Sequence, residues 1–145
     1  MNLKHVSIGA TAILTVAVLS LLLRRSLFTH RPLFLGIQAL AAALTLWARI
    51  TLGARSFHAG ANPTAGGLVT TGPYRFVRHP IYTAILLFVW AGAASHGTNL
   101  SGLTAIVATA AVAVRLVSEE ELVEVDYPEY AEYAKHTKRI IPFVI

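Results

Sequence analysis

Val6-Ser7-Ile8-Gly9-Ala10-Thr11-Ala12-Ile13-Leu14-Thr15-Val16-Ala17-Val18-Leu19-Ser20-Leu21-Leu22-Leu23 runs for 18 residues without a charge. At ~1.5 Å per residue, such a helix crosses most of a ~30 Å hydrocarbon core. Lys4 and His5 precede it, as in a secretory leader, but Arg24 and Arg25 follow where a small-residue cleavage site would stand. The run is also longer than a leader's apolar core, so it reads as a retained transmembrane helix.

Three further apolar segments follow. Leu33–Leu52 begins after Pro32, which suits a first helical turn, and carries Arg49 where a long side chain reaches the interface. Ile81–Ser95 is shorter, and Pro80 can start its helix one turn into the interface. Leu100–Val117, rich in Ala, Ser and Thr, has Arg115 near its end. His96–Asn99 is a tight turn, so the last two spans pair as a helical hairpin. Hydrophobic residues make up 55% of the chain and charged residues 13%, against about a quarter charged in soluble domains. The expected fold is all-α: one integral membrane helical bundle over 1–145, with about four transmembrane helices and a C-terminal interfacial helix. Its expected parts are a two-helix segment (1–52), a loop (53–80), a helical hairpin (81–117) and a tail helix (118–145). Small residues at Ala105, Thr109 and Ala113 recur every four positions and offer a face for close helix approach.

Charge is strongly segregated. The net charge is +5, yet residues 1–118 contain no Asp or Glu, and all seven acids lie from Glu119 to Glu132. With four spans, Lys4, Arg49, Arg55, Arg75, Arg78, Arg115, Lys135, Lys138 and Arg139 share one side, and Arg24, Arg25 and Arg31 the other. The positive-inside rule then predicts a multi-pass protein with both termini, the Gly53–Pro73 loop and the tail in the cytoplasm. The basic excess reads as topology and lipid-headgroup contact rather than nucleic-acid binding. The Gly53–Pro73 loop, broken by Gly60, Asn62, Pro63, Gly66, Gly67 and Gly72, is long enough to suggest function.

The polar chemistry concentrates in Gly72-Pro73-Tyr74-Arg75-Phe76-Val77-Arg78-His79-Pro80-Ile81-Tyr82 and in Glu119-Glu120-Glu121. The predicted topology puts both on one membrane face. His79 is either a polar residue facing headgroups or, at a helix start, part of an anion site for a carboxylate or phosphate. Arg115 and Glu119 share a helix face. They form either a surface ion pair or, at the end of a span, a pair facing a cavity. Three adjacent carboxylates call for a nearby cation or a hydroxyl-rich ligand, although Glu121 also suits solvent. Residues 119–136 read as an interrupted amphipathic helix lying on headgroups, a place also suited to a lid, with Tyr130 and Tyr133 on one side. The chain has no cysteine, no histidine pair at metal-ligand spacing and no phosphate-binding glycine pattern. These absences favour direct transfer or a bound cofactor over covalent catalysis.

Gly67 to Tyr82, with Glu119-Glu120 after the hairpin, Glu129-Tyr130, Tyr133 and Ile141-Pro142, resembles the isoprenylcysteine carboxyl methyltransferase and phospholipid methyltransferase superfamily of integral membrane enzymes. The resemblance covers roughly residues 66–143. It implies S-adenosylmethionine as cofactor, held by Leu68, Val69, Gly72, Tyr74, Arg78, His79, Tyr82, Glu119 and Glu120. It also implies that Arg115 and Glu119 face the transfer site, with a lipophilic small-molecule or prenylated substrate entering from the bilayer. Thr83-Ala84 and Asp126-Tyr127 depart from the family pattern. Carboxyl O-methylation of an isoprenylcysteine-like acceptor is the expected reaction. Phospholipid or small-molecule N- or S-methylation, an NADPH-dependent sterol-type reductase, and a non-enzymatic transporter or structural subunit are the alternatives.

Overall fold

The computed structural model describes residues 3–53 and 67–142. Most of the Gly53–Pro73 loop, including Arg55, His58, Gly60, Asn62, Pro63 and Gly66, therefore lies outside the described residues. The described elements are α1 (Leu3–Leu23), α2 (Pro32–Leu52), a 3-10 turn (Gly72–Arg75), α3 (Pro80–His96), α4 (Asn99–Asp126) and α5 (Tyr130–His136). The chain folds as an all-helical membrane bundle. α1, α2 and α4 are long and apolar enough to cross a membrane, and α3 is a shorter apolar helix of 17 residues.

Local chemistry sets the ends. Pro32 and Pro80 occupy first-turn positions of α2 and α3, where the missing N–H costs nothing. Thr98 caps α4 by accepting a hydrogen bond from the Ser101 N–H. Gly97 closes α3 in the left-handed region, φ 65°, and its N–H returns to the Ala93 carbonyl.

Principal contacts run α1 to α4, α4 to α3 and α3 to α2. Small side chains make these approaches possible: Ala93, Ala105, Ala108 and Ala111 pack with Leu14, Leu21, Val89 and Val112. The close-approach face of α4 differs from the one expected from Ala105, Thr109 and Ala113. Ala105 is buried, but Ala113 is exposed, and half-buried Thr109 accepts a hydrogen bond from Trp90 Nε1 at 3.0 Å. The buried stripe is instead Ser101, Ala105, Ala108 and Val112, because α4 needs a surface that serves both α1 and α3. The outward faces carry apolar residues such as Val16, Leu33, Leu40 and Ile50, as a hydrocarbon solvent requires.

One helix end also differs from expectation. The span expected to stop at Val117 continues as one helix to Asp126, and the only separate tail helix among the described residues is the seven-residue α5. Glutamate is a good helix former, so the acids do not break the helix. Pro128 does, by disfavouring helical backbone at Tyr127, which sits at φ −130°, ψ 90°.

The turn between α1 and α2 locks onto α3. Buried Gln38 donates to the Leu27 carbonyl at 2.7 Å and the Phe88 carbonyl at 3.3 Å. A Cβ on Gly92 would lie 2.2 Å from the Leu27 carbonyl oxygen. Backbone cannot yield as a flexible side chain can, so Gly92→Ala is expected to cost about 1–3 kcal/mol through overpacking. Gly102→Ala, with open space at its Cβ, should be neutral or slightly stabilising. Thermal unfolding of both variants in detergent checks this, and equal melting temperatures would refute the close contact.

Candidate active site

The polar residues meet at one end of the bundle, where the start of α3, the end of α4 and the C-terminal tail converge. Gly72 opens the 3-10 turn with φ 58°, and a Cβ there would lie 2.6 Å from Thr51 Oγ1 of α2. Only glycine combines that backbone with that proximity. The turn buries Pro73 and Tyr74 and delivers Arg78 and His79 to the first turn of α3. Leu68 and Val69 lie in the irregular segment before it, both half-buried.

The tail runs alongside this segment. Val77 and Lys138 form an isolated parallel bridge. The Arg78 N–H donates to the Lys138 carbonyl at 2.7 Å, and the His79 N–H to the Arg139 carbonyl at 3.0 Å. Thr83 Oγ1 donates to the Ile140 carbonyl at 2.7 Å, which gives this departure from the family pattern a structural role. Arg78 Nη1 donates to the Ala134 carbonyl at 2.9 Å and also to that of Thr137. The Tyr133 hydroxyl donates to the Tyr74 carbonyl. Burial pushes both Tyr74 and Tyr133 up to about 12, so each stays a protonated donor across the physiological range.

The three adjacent carboxylates separate completely. Glu120 Oε1 accepts from Arg78 Nε at 2.9 Å and lies 3.2 Å from His79 Nε2, while Oε2 accepts from Arg139 Nε at 2.9 Å. Glu119 Oε1 accepts from the Tyr82 hydroxyl at 2.5 Å and pairs with Arg115 Nη2 at 3.0 Å. Glu121 is exposed. The counter-cations that the acidic run called for are thus supplied by the chain itself. His79 spans the two clusters, with its ring stacked on Tyr82 at 5.6 Å and Nδ1 4.0 Å from Glu119 Oε2.

Arg115 is buried, and three helices hold it. Nε donates to the Tyr82 hydroxyl of α3, Nη1 to Thr11 Oγ1 of α1, and Nη2 pairs with Glu119 of α4. In the Glu120 cluster, near Arg78, a buried Tyr130 hydroxyl has no hydrogen-bond partner of acceptable geometry. Burial and the charge of Glu120 raise its pKa. An orphaned buried hydroxyl beside an ion cluster is a polar group suited to a ligand.

The structure therefore gathers Tyr74, Arg78, His79, Tyr82, Arg115, Glu119 and Glu120 into one region. Gly72 opens the 3-10 turn that leads into it, and Leu68 and Val69 precede that turn. Sequence reasoning missed Thr11, Thr83 and Arg139 as members. Arg139 stood only among the basic residues that set topology, and its pairing with Glu120 bridges 19 residues around the Pro128 break, which no local spacing signals. An outward groove of about 410 Å³ between α1 and α4, lined by Ala12, Ile13, Val16 and Val107 among others, is apolar and holds none of these side chains.

The sequence model of the family described as Phospholipid methyltransferase matches residues 32–129, a span that contains both the Gly72–Tyr82 motif and the Glu119-Glu120 pair. The chain belongs to this family of integral membrane methyltransferases. No curated protein and no solved structure matches it. The resemblance carried by the motif is borne out at this level, and the reductase, transporter and structural readings lose their footing. The methyltransferase match ends before α5 and Arg139 and begins after α1, so Thr11 enters the site from outside the matched segment.

The Glu120 cluster has a direct consequence for the tail. Glu120 and Arg78 side chains are only 10% and 9% exposed, whereas Arg139 is 49% exposed. Arg78→Met should release the tail and speed tryptic cleavage after Lys138 and Arg139 at least several-fold in limited proteolysis. Arg139→Gln should loosen it far less, as a half-exposed pair contributes little. Unchanged cleavage in Arg78→Met would show that the tail is held by something else.

Proposed function

We propose that the chain transfers a methyl group from S-adenosylmethionine to a lipophilic acceptor at the cytoplasmic face of the membrane. In this reading the protein is multi-pass with both termini cytoplasmic, as the distribution of Lys and Arg favours. The acceptor is the carboxylate of an isoprenylcysteine-like molecule that enters sideways from the bilayer.

The observation that carries the reading is the division of labour between the two carboxylates. Glu120 is committed to the tail through Arg78, His79 and Arg139. Glu119, Tyr82 and Arg115 form a second cluster that the tail does not need, at a buried junction of helices within a methyltransferase family. The residues present fit S-adenosylmethionine. Glu119 suits its ammonium or ribose hydroxyls, and Arg78 and His79 favour its carboxylate. The ring face of Tyr74 suits a sulfonium or a purine. When bound, it supplies a methyl group on a sulfonium, which a carboxylate accepts in line without losing a proton.

The chain's own contribution is then mostly positioning and exclusion of water. Arg115 orients an anionic acceptor, with its own geometry set by Tyr82 and Glu119. Leu68, Val69 and Gly72 bring backbone close to the cofactor, and the docked tail covers the site. A second reading, N-methylation of a phospholipid amine, is favoured by the description of the matched family. It requires a base for the amine proton, and Glu119 and His79 are the candidates for that role.

Calorimetric titration of S-adenosylmethionine into the purified protein in detergent is expected to give micromolar binding. His79→Ala and Glu119→Gln should weaken it by at least about 10-fold, the loss of one charge-assisted hydrogen bond. Labelled methyl should appear on a farnesylated N-acetylcysteine. Label on phosphatidylethanolamine instead would establish the amine reading, and no binding by the folded wild type would overturn both.

A further inference from the structure

We infer that the outward groove between α1 and α4 binds one anionic phospholipid, whose acyl chain lies in the groove and whose phosphate is held by Arg24 and Arg25. The headgroup end of this site lies at the opposite end of the bundle from Arg78, Glu119 and Glu120. The inference stands apart from the methyl-transfer reading and uses none of its residues.

The groove, of about 410 Å³, has the depth of one leaflet. Its lining runs along α1 from Ala12 through Val16 to Ser20, and along α4 from Val107 to Leu103 and Thr104. From Ala12 to Arg24 the chain rises about 18 Å at ~1.5 Å per residue, slightly more than half of a ~30 Å hydrocarbon core. Polarity is graded along that path. The two hydroxyl side chains of the lining, Ser20 and Thr104, lie at the Arg24 end, and the remainder is apolar.

Two arginines stand at the polar end. Arg24 Nη1 donates to Thr104 Oγ1 at 3.4 Å, across the mouth of the groove. The Thr104 proton goes to the Leu100 carbonyl at 2.8 Å, so its oxygen is left to accept. This contact uses one of five guanidinium donors, and the Arg24 side chain is exposed. Arg25 fills the left-handed position of a Schellman motif. Its N–H returns to the Leu22 carbonyl at 2.9 Å, and the Ser26 N–H returns to the Leu21 carbonyl at 2.8 Å. With φ 56°, Arg25 is the only non-glycine residue with positive φ among the described residues. Glycine takes this backbone without a Cβ clash, as Gly97 does at the end of α3. The chain instead keeps a second cation there, beside Arg24.

These arginines have no acid of the chain within reach. All seven Asp and Glu lie from Glu119 to Glu132, at the end where Glu119 and Glu120 pair with Arg115, Arg78 and Arg139. An end that carries only cations, beside a long apolar groove, complements a phosphodiester attached to an acyl chain. A zwitterionic lipid would bring its own cation to the same two arginines. Basic residues past a helix C-terminus also complement the helix dipole and set topology. That role needs neither the groove nor the Thr104 contact, and it would apply equally to Arg31, exposed before α2. Arg31 is therefore the internal comparison.

Native mass spectrometry of the full chain in detergent, titrated with phosphatidylglycerol and with phosphatidylcholine, tests the inference. One phosphatidylglycerol should bind at least about 10-fold more tightly than phosphatidylcholine, as expected for one charge-assisted hydrogen bond. Arg24→Gln should abolish that preference, whereas Arg31→Gln, with the same loss of charge, should keep it. Ala12→Phe, which fills the deep end of the groove from an exposed position, should weaken phosphatidylglycerol binding several-fold. Leu40→Phe, on the outward face of α2, should not. All four sites are exposed, so melting temperatures should stay close to wild type. Equal losses in Arg24→Gln and Arg31→Gln, unchanged binding in Ala12→Phe, or displacement of the lipid by excess glycerol phosphate would each overturn the inference. Methyl transfer is not among the readouts, so failure of the proposed reaction leaves the result intact.

Discussion

The site end of the molecule depends on one buried carboxylate. Glu120, near the end of α4, accepts from Arg78 before α3 and from Arg139 in the tail, with His79 beside it. Charges removed from water need close partners on every side. Truncating one member of such a buried pair typically costs about 3–5 kcal/mol, because the survivor stays desolvated. Glu120 therefore joins three segments distant in the chain, and the backbone pairing of Val77–His79 with Lys138–Arg139 follows from that junction.

The bilayer explains why the chemistry is so concentrated. Polar and ionisable side chains are costly within hydrocarbon, so the spans bury many small residues against a few leucines and valines and leave most of their large apolar residues outside. α1, α4 and α3 approach closely through those small residues, and this closeness brings Thr11, Tyr82 and Arg115 within hydrogen-bonding reach. Packing in the apolar layer and geometry at the polar end are one problem with one solution.

Two adjacent acids serve opposite ends of the same site. Successive helical residues point about 100° apart, so Glu119 and Glu120 face different arginines. One faces α1 and α3 through Arg115 and Tyr82, and the other faces the tail through Arg78 and Arg139. His79 lies between them, within 4.0 Å of Glu119 and 3.2 Å of Glu120. One imidazole therefore links the carboxylate that holds the tail to the Arg115–Tyr82 cluster.

Much of this was legible in the chain alone. Uncharged runs of 18 residues and more dictate membrane helices, since the backbone must satisfy its own hydrogen bonds in hydrocarbon. Pro32 and Pro80 mark helix starts, and the crowded polar run Gly72–Tyr82 with Glu119-Glu120 marks the site and the family. These are local or compositional signals. What the tertiary structure decided is which partner each charge takes. Helix periodicity places Arg115 beside Glu119, but only the packing of α1 on α4 brings Thr11 to Arg115. Only the reversal after Pro128 brings Arg139 to Glu120 and Ile140 to Thr83. The extension of α4 to Asp126 was hidden because a run of acids at the end of an apolar span looks like solvated tail, and only Pro128 marks where the helix stops.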